Sequence, residues 1–357
     1  MTSRETAIGD NVLAAVARPE VPSSPSSIEE VRSSVQQRVL WLATAMIHWA
    51  NRVRPSVGGL KVGGHQASSA SSVAILSALF FETLTASDRV AIKPHASPAF
   101  HAIQFLLGNL SQDHMESLRS FGGLQAYPSR TKDPDPVDYS TGAVGLGGTA
   151  AAFGALVRDY LTTHDLNPSS ARFFAHMGDA ELDEGSIWET AAEPLLAEVE
   201  GCIWVVDLNR QSLDRVIPGV RVAQMRDMFL ANGWDVIDAK YGRELNALFE
   251  RSGGEILRTR LDEMSNEEYQ AIITSQPGET QGRLIRDLSP RSGEAILECL
   301  SGVPDEELAS TLAQLAGHDV ATLVGCLEEA SCNRRPTVVL AYTIKGWGLP
   351  FAGDPAR

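Results

Sequence analysis

Long apolar runs are absent from this 357-residue sequence. The longest nearly apolar stretch, residues 73–81, is far shorter than the about 20 residues with which a helix crosses a bilayer. The first residues, MTSRETAIGDN, lack the apolar segment of a secretory signal. We therefore expect a cytoplasmic protein that has no membrane partner.

Cysteine is scarce, and cationic side chains are outnumbered by anionic ones. None of the four cysteines forms a CxxC pair, so we expect reduced core thiols and neither disulfides nor a zinc ribbon. Lys and Arg number 30 against 45 Asp and Glu, which gives a net charge of −15. This charge argues against a nucleic acid partner, whereas a phosphate ligand needs only a local site.

The sequence does contain enough apolar residues for a large core, since 43% of it is hydrophobic. Residues 1–27 end in a Pro/Ser segment that cannot bury a core, so we predict a flexible arm there. We expect residues 28–357 to form one α/β domain. Within it, residues 243–330 are charged and have helical periodicity, which predicts a helical insertion before the last strand.

Short, continuously apolar runs alternate with helical segments along the domain. The runs predicted as strands are 89–92, 172–177, 202–208, 234–237 and 337–344. The main predicted helices are 28–53, 68–84, 147–162 and 186–199. This alternation predicts a doubly wound, mostly parallel sheet with helices on both faces.

Polar residues, together with one glycine, follow four of these five runs. They are Lys93, His95, Gly178, Asp179, Asn209 and Lys345. Ligands of open α/β sheets bind beyond the carboxyl ends of the strands. The sequence therefore predicts a phosphate or cofactor site at this edge.

Asp179 and Asn209 are 30 residues apart, which fits one strand–helix–strand crossover. Their side-chain oxygens suit Mg²⁺, which prefers oxygen ligands and commonly shares them with phosphates. We expect Gly178 to let the chain turn sharply towards the ligand. The alternative is that Asp179 caps a helix and Asn209 forms a turn. The spacing alone leaves both interpretations open.

Several segments resemble a known family. Gly178-Asp179-Ala180, followed by Asn209, resembles the thiamine diphosphate motif Gly-Asp-Gly…Asn. Residues 63–68 (GGHQAS), 178–184, 207–213, 317–319 and 343–348 resemble the homodimeric bacterial pyruvate dehydrogenase first component, a member of the transketolase-like superfamily. The resemblance runs in the same order from about residue 30 to 350, helical insertion included.

The resemblance implies that thiamine diphosphate and Mg²⁺ are the cofactors. It assigns the metal to Asp179, Asn209 and the carbonyl of Gln211. It assigns the cofactor pocket to Ser68, His95, Val144, Gly145, Gly178, Asp179, Ala180, Glu181, Asn209, Leu213 and Lys345. It assigns catalytic roles to His65, His95, Glu184 and Lys345, with Glu184 at a subunit contact. For the two histidines, a capping or core hydrogen bond is the alternative.

Three positions depart from the family pattern. Ala180 replaces the third glycine of the motif, so we expect a negative φ there. Tyr342 stands where the relatives usually have His, and Lys93 stands where Gln is common, which adds a cation near the site. These departures leave strict specificity for pyruvate in doubt.

The family's chain continues through a second α/β domain and a C-terminal domain, and the second domain supplies the glutamate that activates the aminopyrimidine ring. We therefore expect this chain to be the α subunit of a split enzyme, the alternative being a truncated chain. Its partner would be a β subunit that carries the two missing domains, in an α₂β₂ assembly.

The expected reaction is cleavage of a 2-oxo acid or a ketose phosphate, with transfer of a two-carbon unit to a lipoyl domain or an acyl carrier protein. One alternative is transfer of a glycolyl unit from a ketose phosphate to a carrier protein in specialised metabolism. Another is a non-catalytic scaffold or regulatory subunit. The presence of Asp179, Asn209 and Lys345 favours an enzyme.

Overall fold

A computed structural model describes residues 27–55, 57–209, 211–212, 215–216 and 219–353. The predicted N-terminal arm lies outside the described residues except for Ser27, whose side chain accepts the first capping hydrogen bond of the following helix. Leu213 also lies outside them. No helix of the described part is long and apolar enough to cross a membrane.

A five-stranded sheet forms the centre of the fold, and every neighbouring pair of its strands is parallel. Its strands are β1 (Arg89–Ala91), β2 (Phe173–Gly178), β3 (Cys202–Leu208), β6 (Asp235–Ala239) and β7 (Thr337–Tyr342), in the spatial order β1-β2-β3-β7-β6. A small antiparallel pair, β4 (Gln211–Ser212) and β5 (Arg215–Val216), follows β3. All five predicted strands are present.

Fifteen α-helices surround the sheet within the described part of the chain. They are α1 (Ile28–His48), α2 (Gln66–Ser71), α3 (Val73–Ala78), α4 (Ser97–Leu106), α5 (Gln112–Glu116), α6 (Leu146–Thr163), α7 (Gly185–Ala191), α8 (Gly219–Ala231), α9 (Arg243–Phe249), α10 (Gly254–Glu263), α11 (Asn266–Ile273), α12 (Thr280–Leu284), α13 (Pro290–Cys299), α14 (Asp305–Leu312) and α15 (Val320–Cys332). The predicted helix 186–199 is shorter than expected, because α7 ends before Pro194, which cannot continue a helix.

Two separate cores cover the two faces of the sheet. Ile203 and Val205 of β3 pack with α1, α3, α4 and α15, whereas Trp204 and Val206 pack with α6, α7 and α8. Because successive side chains of a strand point to opposite faces, a strand covered on both sides must be apolar throughout. The structure therefore confirms the doubly wound α/β class with helices on both faces.

The helices of the predicted insertion divide into two groups. Helices α9 to α14 share a third core, which includes Leu245, Leu257 and Leu308. Helix α15, the last in the 243–330 segment, instead places Leu323 and Leu327 in the first core against the sheet. A parallel connection between β6 and β7 needs such a crossover helix. The part that projects from the sheet therefore ends before α15.

The predicted helix 68–84 is buried over residues 69–79, as expected, but Phe81 and Glu82 are exposed and the helix is interrupted at Ser72. The hydroxyls of Ser71 and Ser72 donate to the carbonyl of Ser68, at 3.1 and 3.2 Å. Hydroxyls that bond to the preceding turn bend helices. The four cysteines are free, and Cys332 is exposed, so the expectation of core thiols is wrong for this residue at the end of α15.

Candidate functional site

The carboxyl ends of β1, β2, β3 and β7 lie along one edge of the sheet. Gly178 at the end of β2 pairs in register with Asp207 of β3, and Asp207 pairs with Ala341 of β7. Asp179 and Asn209 therefore follow neighbouring strand ends, and Lys345 follows the next strand. The fold thus brings these predicted site residues to one side of the sheet.

Asp207 joins four elements at this edge and is fully buried. It accepts hydrogen bonds from Ser71 (2.7 Å), Ser72 (3.2 Å) and Thr343, and it forms an ion pair with the ammonium of Lys93. Burial by itself would raise the pKa of Asp207, but the Lys93 ammonium outweighs it and holds this pKa well below its usual range. Sequence reasoning assigned no role to Asp207, although a carboxylate inside an apolar strand was an available indication.

Lys93 is buried and forms an ion pair with Asp207. Its charge still contributes to lowering the pKa values of His65 and His95, so a cation does lie near the site, paired with Asp207. Its side chain also explains Gly178, because a Cβ there would lie 3.1 Å from the Lys93 Cδ. With φ of −89°, Gly178 has ordinary extended backbone. The glycine at position 178 is thus explained by the close approach of the Lys93 side chain, and not by a sharp turn of the backbone.

The carboxylate of Glu181 links the loop at Gly145 to the end of β2 through two hydrogen bonds. Its two oxygens accept hydrogen bonds from the backbone N–H groups of Gly145 and Gly178, both at 3.0 Å. Burial raises the pKa of Glu181, and these two bonds oppose the rise. Gly145 has φ of +81°, and a Cβ there would lie 2.9 Å from the Glu184 Cβ. Ala180 is not among the described residues with positive φ, as expected.

The metal-binding prediction concerns Asp179, Asn209 and Gln211. Asp179 is buried in a 3₁₀ turn whose cap is Gly178, so Asp179 is not the helix cap of the alternative interpretation. Asn209 is half-buried, and Gln211 begins β4. No group of three or more His, Cys, Asp or Glu side chains in the described part could hold a metal. The predicted set has a single carboxylate, and its oxygen chemistry fits Mg²⁺ completed by phosphate oxygens.

Hydrogen bonds and a stacked ring pair fix the loop that contains Lys345. His318 Nε2 accepts from the backbone N–H of Ile344 at 2.7 Å, and its ring stacks on Trp347 with centroids 4.4 Å apart. Burial lowers the pKa of His318 to about 3, so it serves as a neutral acceptor. The N–H of Gly346 donates to Ala67 at 3.0 Å, which joins this loop to the start of α2.

This arrangement leaves the Lys345 ammonium without an ion pair or hydrogen bond among the described residues. Ser68 is half-buried on α2, and its carbonyl is occupied by the hydroxyls of Ser71 and Ser72. An ammonium without a partner among the described residues, at the same sheet edge as Asp179 and Asn209, suits a diphosphate bound with Mg²⁺. The residues present therefore fit the predicted cofactor.

His65 and His95 form a pair, with ring centroids 4.3 Å apart in an edge-on arrangement. Burial, followed by the charges of His65, Lys93 and Arg119, lowers the pKa of His95 to about 4. Partial burial and Arg119 also lower the pKa of His65. Both imidazoles are thus neutral near pH 7. Neither residue supports the structural alternative, because His65 makes no side-chain cap to α2 and the buried Nδ1 of His95 has no described hydrogen-bond partner.

Arg119 and Tyr127 extend the histidine pair and were missed from the sequence. Tyr127 lies 5.5 Å from the His95 ring, and the Arg119 guanidinium lies 5.7 Å from the Tyr127 ring. Arg119 donates to the carbonyl of Val62 at 2.9 Å and has a left-handed backbone, with φ of +56°. Non-glycine residues with such backbone cluster at functional sites. No local motif marks either residue, because only tertiary packing brings them to the histidines.

The remaining predicted residues lie at the surface beside the site. Val144 and Glu184 are exposed next to the Gly145 turn. Helix α6 follows this turn and exposes an apolar row, the α6 stripe, between 40% and 57% exposed. Its members are Leu146, Phe153, Val157 and Tyr160. Exposed apolar surface of this kind marks an interaction site.

Comparisons with known proteins agree with this geometry. The family described as transketolase, thiamine diphosphate binding domain, matches residues 65–252, just over half of the chain. The pyruvate dehydrogenase E1 component of Corynebacterium glutamicum is 27% identical over 358 residues, which cover 95% of this chain and 37% of that protein. The protein of the same name from Mycobacterium tuberculosis is 29% identical over 337 residues, covering 90% of this chain and 35% of that protein.

Solved structures show the same fold. Transketolase from Leishmania mexicana has a TM-score of 0.61 at 17% identity and covers 90% of this chain and 38% of that one. Transketolase from Campylobacter jejuni has a TM-score of 0.59 at 17% identity and covers 92% of this chain and 40% of that one. The chain therefore spans little more than a third of the length of such relatives.

These findings confirm the predicted resemblance and the predicted cofactor, thiamine diphosphate, whose usual partner ion in this family is Mg²⁺. They do not test the roles predicted for individual residues, which stay predictions. The chain belongs to the transketolase family of thiamine diphosphate-binding domains.

Proposed function

We propose that this chain is the diphosphate-binding subunit of an enzyme that cleaves a carbon–carbon bond beside a ketone and transfers a two-carbon unit. The observation that carries this proposal is the shared edge of the sheet, where Asp179, Asn209 and Lys345 follow neighbouring strands, and where the Lys345 ammonium has no ion pair among the described residues. When bound, thiamine diphosphate supplies an electron sink for the broken bond, and the protein binds and orients it.

The residues of the edge divide the binding of the diphosphate among them. Asp179, Asn209 and the Gln211 carbonyl would hold Mg²⁺, whose charge would offset that of the diphosphate. The ammonium of Lys345 neutralises further negative charge on the diphosphate. Glu181 contributes indirectly, because both of its oxygens fix the backbone of Gly145 and Gly178.

The histidine pair acts on the donor substrate. His65 and His95 are neutral near pH 7, so each ring can donate one hydrogen bond and accept another. They hold the donor's carbonyl or hydroxyl and exchange a proton with it during bond cleavage. Arg119, close enough to lower the pKa of both, gives this region a positive potential that suits an anionic donor.

The donor classes that fit are a 2-oxo acid and a ketose phosphate, since both are anionic. The relatives in sequence are pyruvate dehydrogenase E1 components, and transketolase structures from Pichia stipitis that share the fold are complexes with fructose 6-phosphate and sedoheptulose 7-phosphate. The acceptor is a lipoyl domain or an acyl carrier protein. Transfer of a glycolyl unit to a carrier protein is the reaction expected if the donor is a ketose phosphate.

A partner subunit supplies the aminopyrimidine half of the site. The observation that supports this part of the proposal is the α6 stripe, which leads away from the Gly145 turn. An apolar row beside the site suits a surface that another chain covers. The assembly proposed is α₂β₂, and the partner's other domains complete the enzyme.

Calorimetric titration of the chain with thiamine diphosphate and Mg²⁺ tests the cofactor-binding part of this proposal. The wild-type chain should bind the cofactor in a Mg²⁺-dependent manner, and Asp179→Ala should abolish this dependence. Asp227→Ala, at an exposed aspartate of α8, is the matched control and should bind like the wild type. Equal Mg²⁺-dependent affinity in Asp179→Ala would show that the metal assignment is wrong.

A further inference from the structure

A small cavity separates the helical insertion from the functional edge. Asn209 and Lys345 line it from the sheet side, and Asn266 and Gln270 of α11 line it from the insertion. Its volume of about 20 Å³ is enough for one water molecule. The cavity therefore lies between two predicted cofactor-binding residues and the helical insertion, to which no function has been assigned above.

Asn266 has a buried side-chain amide that lacks a partner. It is the first residue of α11 and is 9% exposed, and its Nδ2 atom makes no hydrogen bond within the described part of the protein. The adjacent Ser265 caps the helix by accepting from the N–H of Glu268. Buried N–H groups are almost always satisfied by protein or ordered water. The Nδ2 atom therefore needs a hydrogen-bond acceptor, and the cavity has room for one.

The lining of the cavity determines what kind of acceptor fits. Lys345 and the two side-chain amides of α11 can donate, whereas Lys240 is paired with Asp262, and no carboxylate of the described residues lines the cavity. The hydroxyls of Tyr241 and Tyr269 already donate elsewhere, to Asp262 and to the carbonyl of Leu312. A water molecule matches this lining in size and accepts through its oxygen.

We propose that Asn266 is a positioning residue that couples the insertion to the cofactor. Its amide donates to a water in the cavity, and this water holds the loop positions of Asn209 and Lys345. Cofactor binding fixes the same two residues from the other side, so it also orders α11. Because such coupling is reciprocal, loss of the Asn266 amide weakens cofactor binding. The inference rests on the proposed cofactor site at this edge.

Two measurements on the whole chain test this coupling. In calorimetry with thiamine diphosphate and Mg²⁺, Asn266→Leu should bind about three- to tenfold more weakly, the effect of one lost hydrogen bond. Gln281→Leu makes the same change at an exposed position of α12 and should bind like the wild type. In hydrogen exchange, the cofactor should slow the amides of α11 in the wild type and in Gln281→Leu, but not in Asn266→Leu.

Each outcome decides the inference. Wild-type affinity together with full cofactor-induced protection of α11 in Asn266→Leu would overturn it. Asn266→Ala, which removes the amide without adding bulk, provides the same comparison if the leucine variant does not fold. If the wild-type chain does not bind the cofactor either alone or with its partner subunit, the proposed function is overturned and this inference with it. Normal wild-type binding with an unaffected variant would overturn the inference alone.

Discussion

The buried ion pair between Lys93 and Asp207 should contribute strongly to stability, and Lys93→Met tests this. Methionine fills similar space beside Gly178 but leaves the Asp207 carboxylate, which is fully buried, without its counter-charge. Removing one partner of a buried pair costs about 3–5 kcal/mol. Because domains are stable by about 5–15 kcal/mol, the variant should still fold but with a small margin.

The pH dependence of stability should change sign in the same variant. In the wild type the pKa of Asp207 is lowered, so its contribution is present above the unfolded pKa, about 3.9, and is lost as the pH falls below it. Without Lys93, burial raises that pKa. The folded form then binds a proton that the unfolded form has released, so Lys93→Met should lose stability as the pH rises above about 4.

Urea unfolding at pH 5 and pH 8, followed by circular dichroism, measures both effects. The double variant Lys93→Gln/Asp207→Asn replaces the charged pair by two amides that can bond to each other, and it should recover most of the lost stability. A loss below about 1 kcal/mol in Lys93→Met, the value of an exposed pair, would refute the reasoning. So would a variant whose stability, relative to that of the wild type, does not fall between pH 5 and pH 8.

Two further predictions concern the loop beside α6 and the α6 stripe. Gly145→Ala should destabilise the fold by about 1–3 kcal/mol, because its φ is +81° and the added Cβ would lie 2.9 Å from the Glu184 Cβ. Gly282→Ala, where the Cβ meets nothing within 4 Å, should be neutral or slightly stabilising in the same denaturant series, and equal effects in both would contradict this reasoning. Val157→Asp, in the α6 stripe, should abolish association with the partner subunit in light scattering while leaving the cofactor affinity of the isolated chain unchanged. Full activity of the isolated chain would contradict the need for a partner.

The sequence by itself determined the sheet and the class of cofactor. Strands covered on both faces must be apolar at every position, so β3 and β7 were visible as continuous runs. The family motif around Gly178 and Asn209 identified thiamine diphosphate, because a metal–diphosphate site needs few residues at fixed intervals. The same spacing placed Asp179 and Asn209 after adjacent strands.

Tertiary structure alone decided how charges are paired and which side chains meet. Lys93 and Asp207 are 114 residues apart, and nothing local to either shows that they form a buried pair. Arg119 lies near His65, which is 54 residues earlier in the chain, and Asn266 lines the cavity beside Asn209, which is 57 residues earlier. Sequence periodicity records which face of an element is buried, whereas the partner of a buried polar group depends on how distant elements pack against each other.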